Sequence, residues 1–353
     1  MNIKTIGILG SGQLGRMIAI AAAEMGVRAH IFAPDAQDSP AAEVAYRATQ
    51  ADYTDQAALR EFAASIDAVT SEFENVPADT MRVLGNYFPT SPGAKALHIA
   101  QNRLREKDLA KSLGILTPTY TAIRSADELG IALHQLSSNA ILKTTEMGYD
   151  GKGQIRVSAQ DTDADALWAA LNTSEAVLES FVDFKAEVSF LVWRDEHGKM
   201  GVFPPAQNLH KNGILAKSTA PAPDISANTL LAGNKAVFAI AEAVDLHGIL
   251  AMEAFIDAND TLIFNEIAPR PHNSFHWTIE GCMTSQFRQL VRIITGLGSG
   301  DTQARGVYVM ENLLGERLYR LDSLYADETK SVHLYGKTEA RDGRKMGHVT
   351  YKT

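Results

Sequence analysis

The sequence predicts a protein of mixed α/β and α+β class with two or three domains. Its 353 residues are more than a single hydrophobic core usually holds. Strands and helices alternate in the first part of the chain, which is typical of a parallel sheet covered by helices. After Pro118, strands are grouped around glycine-rich turns, which favours antiparallel pairing. We therefore expect an N-terminal domain over residues 1–93, a central domain over 94–298 with a lobe at about 118–183, and a small β-rich C-terminal domain over 299–353.

Composition narrows the class of function. A net charge of −9 and a pI near 5.6 argue against a broad nucleic-acid or membrane surface. One cysteine, Cys282, excludes an internal disulfide and fits a reducing compartment. The N-terminus enters a strand without a signal-peptide pattern, and no apolar run approaches the ~20 residues of a membrane helix. These features predict a cytoplasmic protein.

The first motif follows a strand at residues 3–9. Gly10-x-Gly12-x-x-Gly15 leads into a helix through Met25, and Asp35 follows a second strand, Arg28–Phe32. This spacing matches the dinucleotide-binding pattern of a Rossmann-like domain. However, Asp35 lies beyond the strand end, and no second nucleotide-binding half follows the weak strand at 68–70. We therefore interpret the loop as holding the phosphate or polar head of a substrate, with NAD as the alternative.

The second glycine motif lies between two strands. A long helix, Ala94–Leu113, leads into this region. Strands Ala140–Thr144 and Gln154–Ser158 flank the turn 147–153, so the turn is predicted to be a hairpin lid. Its glycines would let the backbone approach phosphate oxygens, while Lys143 and Lys152 supply charge. A plain glycine-rich turn explains the loop alone equally well.

A pair of acidic residues on neighbouring strands is the most informative feature. Glu253 and Glu266 lie within apolar β runs joined by a short turn at 257–260, which predicts a hairpin that brings them together. Buried carboxylates are costly unless a cation neutralises them. With the Asn265 amide oxygen they form the ligand set that suits Mg²⁺ carrying phosphates. Either acid alone would more simply lie on a solvated face.

The segment after this hairpin carries Arg270, His272 and Asn273, which together with the carboxylates indicates phosphoryl transfer. His272 and His276 could suggest zinc, but a third soft ligand is missing. We expect His272 to donate a hydrogen bond in the active site and His276 to be structural. Cys282 has no evident partner base, so packing is its expected role.

Taken together, the motifs resemble the ATP-grasp superfamily and, within it, the 5-(carboxyamino)imidazole ribonucleotide synthase family. The resemblance extends in order over nearly the whole chain. Its segments are Gly12–Met17, Ser71–Val76, the lid, Asn208–His210, Asn265–Ser274, Ser285–Phe287 and Gly343–His348.

The resemblance implies ATP-dependent carboxylation of 5-aminoimidazole ribonucleotide by bicarbonate, with carboxyphosphate as intermediate and release of ADP and phosphate. It implies ATP and Mg²⁺ as cofactors and a homodimer. The residues it assigns to ATP are Arg103, Lys143, Gly148, Tyr149, Asp150, Gly151, Lys152, Gly153, Gln154, Glu179, Ser180, Phe181, Val182, Glu187, His210, Asn265 and Glu266. Mg²⁺ would be held by Glu253, Glu266 and Asn265. The ribonucleotide would be held by Ser11, Gly12, Gln13, Leu14, Glu74, Asn75, Lys337, Arg344 and Lys345, and the catalytic residues would be Arg270, His272, Asp150 and Asn273.

Four positions depart from the family pattern. Phe275 replaces a glycine and places a ring beside the expected carboxyphosphate pocket, while Met147, Thr145 and Asn102 replace glycine, arginine and aspartate. The chain also ends soon after the last motif, so a final helix is expected to be absent. The alternatives are formate-dependent glycinamide ribonucleotide transformylase, a dinucleotide-binding oxidoreductase, a biotin carboxylase and a relative that binds ATP without turnover.

Overall fold

A computed structural model describes residues 4–136, 138–148, 153–158, 160–161 and 163–353. The N-terminal part is a five-stranded parallel sheet in the order β3-β2-β1-β4-β5. Two of its strands, β3 and β5, were not predicted because they are short and largely polar. The elements are β1 Thr5–Leu9, α1 Gln13–Glu24, β2 Arg28–Ala33, β3 Arg47–Gln50, α2 Gln56–Ala63, β4 Ala68–Ser71, α3 Ala78–Leu84 and β5 Thr90–Ser91.

The connection to the central region contains two helices, α4 (Ala94–Ala100) and α5 (Arg103–Ser112). The single helix predicted over 94–113 is therefore wrong. Asn102 lies between the two helices and caps the second, because its side-chain oxygen accepts from the backbone N–H groups of Leu104 and Arg105 at 3.0 and 3.2 Å. An asparagine caps a helix about as well as an aspartate does. This departure from the family pattern thus preserves the cap.

The predicted lobe is a four-stranded antiparallel sheet in the order β6-β9-β7-β8. The predicted hairpin is confirmed, since β7 pairs with β8 and places Lys143 opposite Gln154. Lid residues Tyr149, Asp150, Gly151 and Lys152 lie outside the described residues. The elements are β6 Tyr120–Ile123, α6 Ala126–His134, β7 Ala140–Thr144, β8 Gln154–Val157, α7 Ala164–Leu171 and β9 Ala176–Ser180.

The third sheet has eight strands in the order β14-β13-β10-β11-β12-β15-β17-β16, with all neighbours antiparallel. Strands of the predicted C-terminal domain continue the central sheet, because β15 pairs with β12. The strands are β10 Ala186–Arg194, β11 Met200–Lys211, β12 Ile214–Ala220, β13 Gly248–Ile256, β14 Leu262–Ala268, β15 Tyr308–Leu314, β16 Lys330–Leu334 and β17 Lys345–Lys352. The helices are α8 Ala227–Ala243, α9 Thr278–Gly281, α10 Gln286–Ile294 and α11 Leu321–Tyr325.

Two apolar cores cover the faces of this sheet. One packs it against α1 and α10, with Phe275, Trp277 and Phe287 fully or nearly fully buried. The other packs it against α8 and includes Phe190 and Phe264. Burial of this much apolar surface fixes the N-terminal sheet on the central sheet. Within the described part of the chain, no helix has the length and apolar character needed to cross a membrane.

A buried histidine predicts a pH-dependent stability. His30 on β2 is 1% exposed, and its ring nitrogens lie 2.8 Å from the hydroxyls of Ser65 and Thr49. Burial, with help from Arg47, lowers the pKa of His30 from 6.5 to about 4. Between these values the unfolded chain binds a proton at this histidine and the folded chain does not. The contribution of neutral His30 to the free energy of unfolding is therefore complete above pH 6.5 and declines towards pH 4.

For His30→Gln, the free energy of unfolding measured in urea should depend less on pH between pH 6.5 and 4 than it does for wild type. The control His197→Gln, at an exposed position, should retain the wild-type dependence of the unfolding free energy on pH. The same pH dependence in His30→Gln and in wild type would contradict the assignment.

Candidate active site

The predicted carboxylate pair is present at one end of the central sheet. Glu253 on β13 is the register partner of Glu266 on β14, which confirms the predicted pairing. The next pair is Ala254 with Phe264, so Asn265 is the extra residue of a β-bulge. Bulges re-aim neighbouring side chains and are common beside active sites. Both carboxylates border one cavity, whose lining also includes Glu74, Asn75, Arg103, Glu106, Gly148, Arg270 and His272.

The two carboxylates have opposite electrostatic environments. Burial and the neighbouring charge of Glu266 raise the pKa of Glu253 to about 7. Burial opposes ionisation of Glu266 as well, but Arg103 donates to its Oε2 at 2.7 Å and lowers its pKa to about 2. Glu266 therefore stays ionised, whereas Glu253 holds a proton more readily until a cation offsets the charge of its neighbour.

This donor set fits a divalent cation that arrives with phosphates. Two neighbouring, partly buried carboxylates repel each other, and a cation between them would remove that repulsion. In the described ranges, no group of three or more His, Cys, Asp or Glu side chains has the geometry of a metal site. Because Mg²⁺ commonly uses only one or two protein carboxylates and takes other ligands from phosphates and water, two carboxylates suffice.

Arg270 connects the central sheet to the N-terminal domain. Its guanidinium contacts both oxygens of Glu74, with Nη2 at 3.1 Å from Oε1 and Nε bonded to Oε2. Burial opposes a charged arginine, but Glu74 raises the pKa of Arg270, while Arg270 holds the pKa of Glu74 below its usual value despite burial. Arg270 is therefore a fixed cation in the cavity wall, with a planar fork that matches carboxylates and phosphates.

His272 lies next to the carboxylate pair as a neutral ring. Burial, followed by Arg270 and Lys345, lowers its pKa to about 3. Its Nε2 lies 3.3 Å from Glu253 Oε1, and its Nδ1 lies 2.8 Å from the Ser274 hydroxyl. A neutral imidazole can donate one hydrogen bond without adding charge.

Three neighbouring residues are buried. Asn273 is bonded through both ends of its amide to Asn312, at 3.0 and 2.8 Å. The expectation that Phe275 lies beside the pocket is wrong, because its ring is fully buried in the core, 6.3 Å from the ring of Phe203. His276 is also fully buried. The bulk of Phe275 therefore fills the core rather than the cavity.

The residues expected around the nucleotide gather on the lobe and the central sheet. Lys143 Nζ donates to Glu179 Oε2 at 2.9 Å, and both side chains are buried. On the central sheet, Glu187 and His210 are hydrogen bonded to each other. Burial alone would lower the pKa of His210, but the hydrogen bond to Glu187 outweighs it, so the pKa of His210 is raised. Phe181 is 38% exposed. Of the remaining predicted contacts, Ser180, Val182, Gly153 and Gln154 lie at the ends of β9 and β8.

Sequence reasoning missed two buried ionisable residues on α5, Glu106 and Lys107. Glu106 accepts from the backbone N–H of Ile267 at 3.0 Å, and Lys107 forms an ion pair with Glu179 at 3.2 Å. Burial and Glu266 raise the pKa of Glu106 to about 8. The sequence does contain a signal for these contacts in the spacing of the charged residues. One face of α5 carries Arg103, Glu106 and Lys107, at positions i, i+3 and i+4.

The N-terminal glycine loop differs from its prediction. The N–H groups of Gly12 and Gly15 donate to the carboxylate of Glu72, the latter at 2.6 Å, and Glu72 is 6% exposed. The donors expected to hold a phosphate are thus bonded to an internal anion. A Cβ on Gly10 would lie 2.3 Å from Glu72 Cγ, which explains the glycine. Asp35, the candidate ribose acid, instead accepts from the Ser11 hydroxyl at 2.7 Å.

We predict that Glu72→Ala lowers the free energy of unfolding by about 3 kcal/mol, because two buried N–H groups lose a charged acceptor. Added inorganic phosphate should restore part of that loss, since the vacated loop presents N–H donors at a helix N-terminus. Urea unfolding with and without phosphate measures both effects. Glu61→Ala, at an exposed position on α2, is the control. An unfolding free energy equal to that of wild type would contradict the role of Glu72.

One of the C-terminal basic residues, Lys337, reaches the same loop. Lys337 Nζ donates to Gln13 Oε1 at 2.6 Å and to the backbone oxygen of Lys345 at 2.7 Å. Arg344 donates to the Glu339 backbone oxygen at 2.8 Å. Leu14 packs against the core beneath the loop. The fold therefore places Gln13 beside the basic C-terminal segment, as the resemblance implied.

Comparisons with known proteins match all three parts of the chain. Residues 3–101 match the ribonucleotide synthetase preATP-grasp domain, and residues 108–287 match the ATP-grasp domain. Residues 309–353 match the phosphoribosylaminoimidazole carboxylase C-terminal domain. The order of these matches agrees with the predicted ATP-grasp fold.

Relatives and solved structures agree with the domain matches. The N5-carboxyaminoimidazole ribonucleotide synthase of Brucella melitensis biotype 1 is 44% identical, covering 98% of this chain and 96% of that protein. A crystal structure of an N5-carboxyaminoimidazole ribonucleotide synthetase with ADP has a TM-score of 0.93 at 40% identity, covering 99% and 92%. The Aspergillus clavatus synthase with ADP and 5-aminoimidazole ribonucleotide has a TM-score of 0.91 at 27% identity, covering 100% and 94%.

Proposed function

The chain belongs to the N5-carboxyaminoimidazole ribonucleotide synthase family, and we propose that it is an ATP-dependent ligase of purine biosynthesis. It would use bicarbonate to carboxylate 5-aminoimidazole ribonucleotide, releasing ADP and phosphate. Full-length similarity to enzymes of that name supports this proposal. The structural observation that carries it is that Glu253, Glu266 and the Arg270–Glu74 pair border one shared cavity.

The cavity suits the chemistry of this reaction. Bicarbonate is a weak nucleophile and ATP is polyanionic, so the protein must neutralise charge and align both reactants. Glu253 and Glu266, with Asn265, would hold Mg²⁺, which would neutralise phosphate charge when bound. Arg270 would bind the developing carboxyphosphate through its planar fork, and neutral His272 would donate a hydrogen bond beside it.

The substrates would approach from different sides. ATP would lie between the lobe and the central sheet, with Lys143 and Arg103 at its phosphates, residues 179–182 at the adenine, and Glu187 and His210 near the ribose. The lid, including Gly148, Gly153 and Asp150, would cover the phosphates. The ribonucleotide would lie at the N-terminal loop, with Gln13, Glu74 and Asn75 on one side and Lys337, Arg344 and Lys345 on the other.

The wider assignments rest on the same family similarity. We propose Mg²⁺ as the cation, a homodimer as the assembly and the cytoplasm as the location. The division at residues 93 and 298 remains part of this proposal, although the C-terminal strands share the central sheet.

ADP release from MgATP in bicarbonate buffer tests the function, measured with and without 5-aminoimidazole ribonucleotide. Release that depends on the ribonucleotide supports the proposal. Release stimulated by glycinamide ribonucleotide and formate instead would favour the transformylase. Absence of any stimulated release from protein that binds ATP would contradict the ligase assignment.

A further inference from the structure

The buried face of α5 joins the lobe to the metal-binding hairpin. Lys107 Nζ lies 3.2 Å from Glu179 Oε1 on the lobe and 3.2 Å from the backbone oxygen of Asn265 on β14. The preceding residue, Glu106, accepts the N–H of Ile267 on the same strand. Lys107 is 1% exposed and Glu179 is 3% exposed. A single helical turn therefore contacts both walls of the nucleotide cleft.

Glu179 has two lysine partners. Lys143 occupies its Oε2 at 2.9 Å, and Lys107 lies at its Oε1. A buried carboxylate needs a cation nearby, since removing one member of a buried pair is strongly destabilising. One lysine is sufficient for neutrality, so the second is available for another anion.

Lys143 is the lysine that the nucleotide would recruit. It lies on β7, which pairs with β8, the strand that follows the lid. In the proposed function it contacts the phosphates of ATP. Lys107, in contrast, donates to the backbone oxygen of Asn265 on β14, and the adjacent Glu106 is hydrogen bonded to the same strand. When Lys143 turns towards phosphate, Glu179 would be left as an unpaired buried anion unless another cation remained.

We propose that Lys107 is a positioning residue that keeps Glu179 neutralised and thereby allows Lys143 to bind the phosphates of ATP. The inference rests on the proposed function only in that Lys143 contacts nucleotide phosphates. Lys107 itself does not touch the nucleotide. Lys107 acts through Glu179 and Lys143, and its loss should affect binding of phosphates and not of the nucleoside.

Calorimetric titration of MgADP and of adenosine tests the inference without requiring turnover. In Lys107→Met, Lys143 becomes the remaining partner of Glu179, so MgADP affinity should fall by at least about tenfold while adenosine affinity stays within about twofold of wild type. Because Glu179 also lies at the proposed adenine site, Lys107→Met/Glu179→Gln is compared with Glu179→Gln alone, and the two should bind MgADP within about twofold of each other, because neither retains the buried negative charge. Lys111→Met, an exposed position on the same helix, is the matched control.

The outcomes separate this inference from the proposed function. Unchanged MgADP affinity in folded Lys107→Met overturns the inference, as does an equal loss for adenosine, which would indicate general structural damage. A double variant that binds MgADP much more weakly than Glu179→Gln alone also overturns it. If the wild-type protein binds MgADP but shows no ribonucleotide-stimulated ADP release, the proposed ligase function fails while the role of Lys107 is still decided by these titrations.

Discussion

Glu266→Gln is expected to lower ribonucleotide-stimulated ADP release by at least about 100-fold, because it removes half of the charge that would hold Mg²⁺ against the phosphates. The variant also loses the ion pair with Arg103, whose Nη1 lies 2.7 Å from Glu266 Oε2. The amide is close in size to the carboxylate, so the hairpin should remain folded. Initial rates of ADP formation at saturating MgATP measure the loss.

Controls distinguish loss of metal binding from loss of structure. Glu242→Gln changes an exposed acid on α8 and should retain the wild-type rate. Raising the Mg²⁺ concentration should recover part of the rate of Glu266→Gln, since a weakened site fills at higher metal concentration. Wild-type turnover in Glu266→Gln would exclude Glu266 as a metal ligand.

Arg270→Lys is expected to lower turnover by about 100-fold while protein stability changes much less. Lysine keeps the positive charge beside Glu74 but loses the planar fork that contacts both Glu74 oxygens. If Arg270 binds carboxyphosphate as it forms, the decrease should appear mainly in kcat and not in the KM for MgATP. Steady-state kinetics with each substrate varied in turn gives this separation.

Arg288→Lys provides a matched control for Arg270→Lys. Arg288 also contacts a glutamate of the N-terminal part, Glu24, through Nε at 2.8 Å and Nη2 at 2.7 Å, but that pair is about half exposed. Exposed ion pairs contribute at most about 1 kcal/mol, so Arg288→Lys should leave both stability and turnover near wild type. Equal effects of the two substitutions would show that Arg270 acts only as a domain contact.

The metal hairpin could be predicted from sequence because its information is local. Two apolar runs, a short turn and two acids of matching position define the pairing of Glu253 with Glu266. The bulge at Asn265 was not visible, since it depends on the register of the paired strands. The break at Asn102 was missed because the flanking residues continue a helical pattern, although Asn is a known cap.

Long-range contacts explain most of what sequence reasoning did not find. The glycine loop was read as a phosphate site because its internal anion, Glu72, comes 60 residues after Gly12. Lys107 was overlooked because its partners lie on the lobe and on β14, far along the chain. The resemblance identified the family through short segments, while the pairing of buried charges required the fold.

The most direct test of the central claim is transfer of carbon from bicarbonate to the ribonucleotide amine. Protein, MgATP, 5-aminoimidazole ribonucleotide and ¹³C-bicarbonate would be combined and followed by ¹³C NMR. The proposed function predicts a carbamate signal that requires both ATP and the ribonucleotide and that grows in step with ADP. ADP formation without this signal, or a signal that is independent of ATP, would contradict the assignment of the site as an ATP-dependent carboxylating ligase.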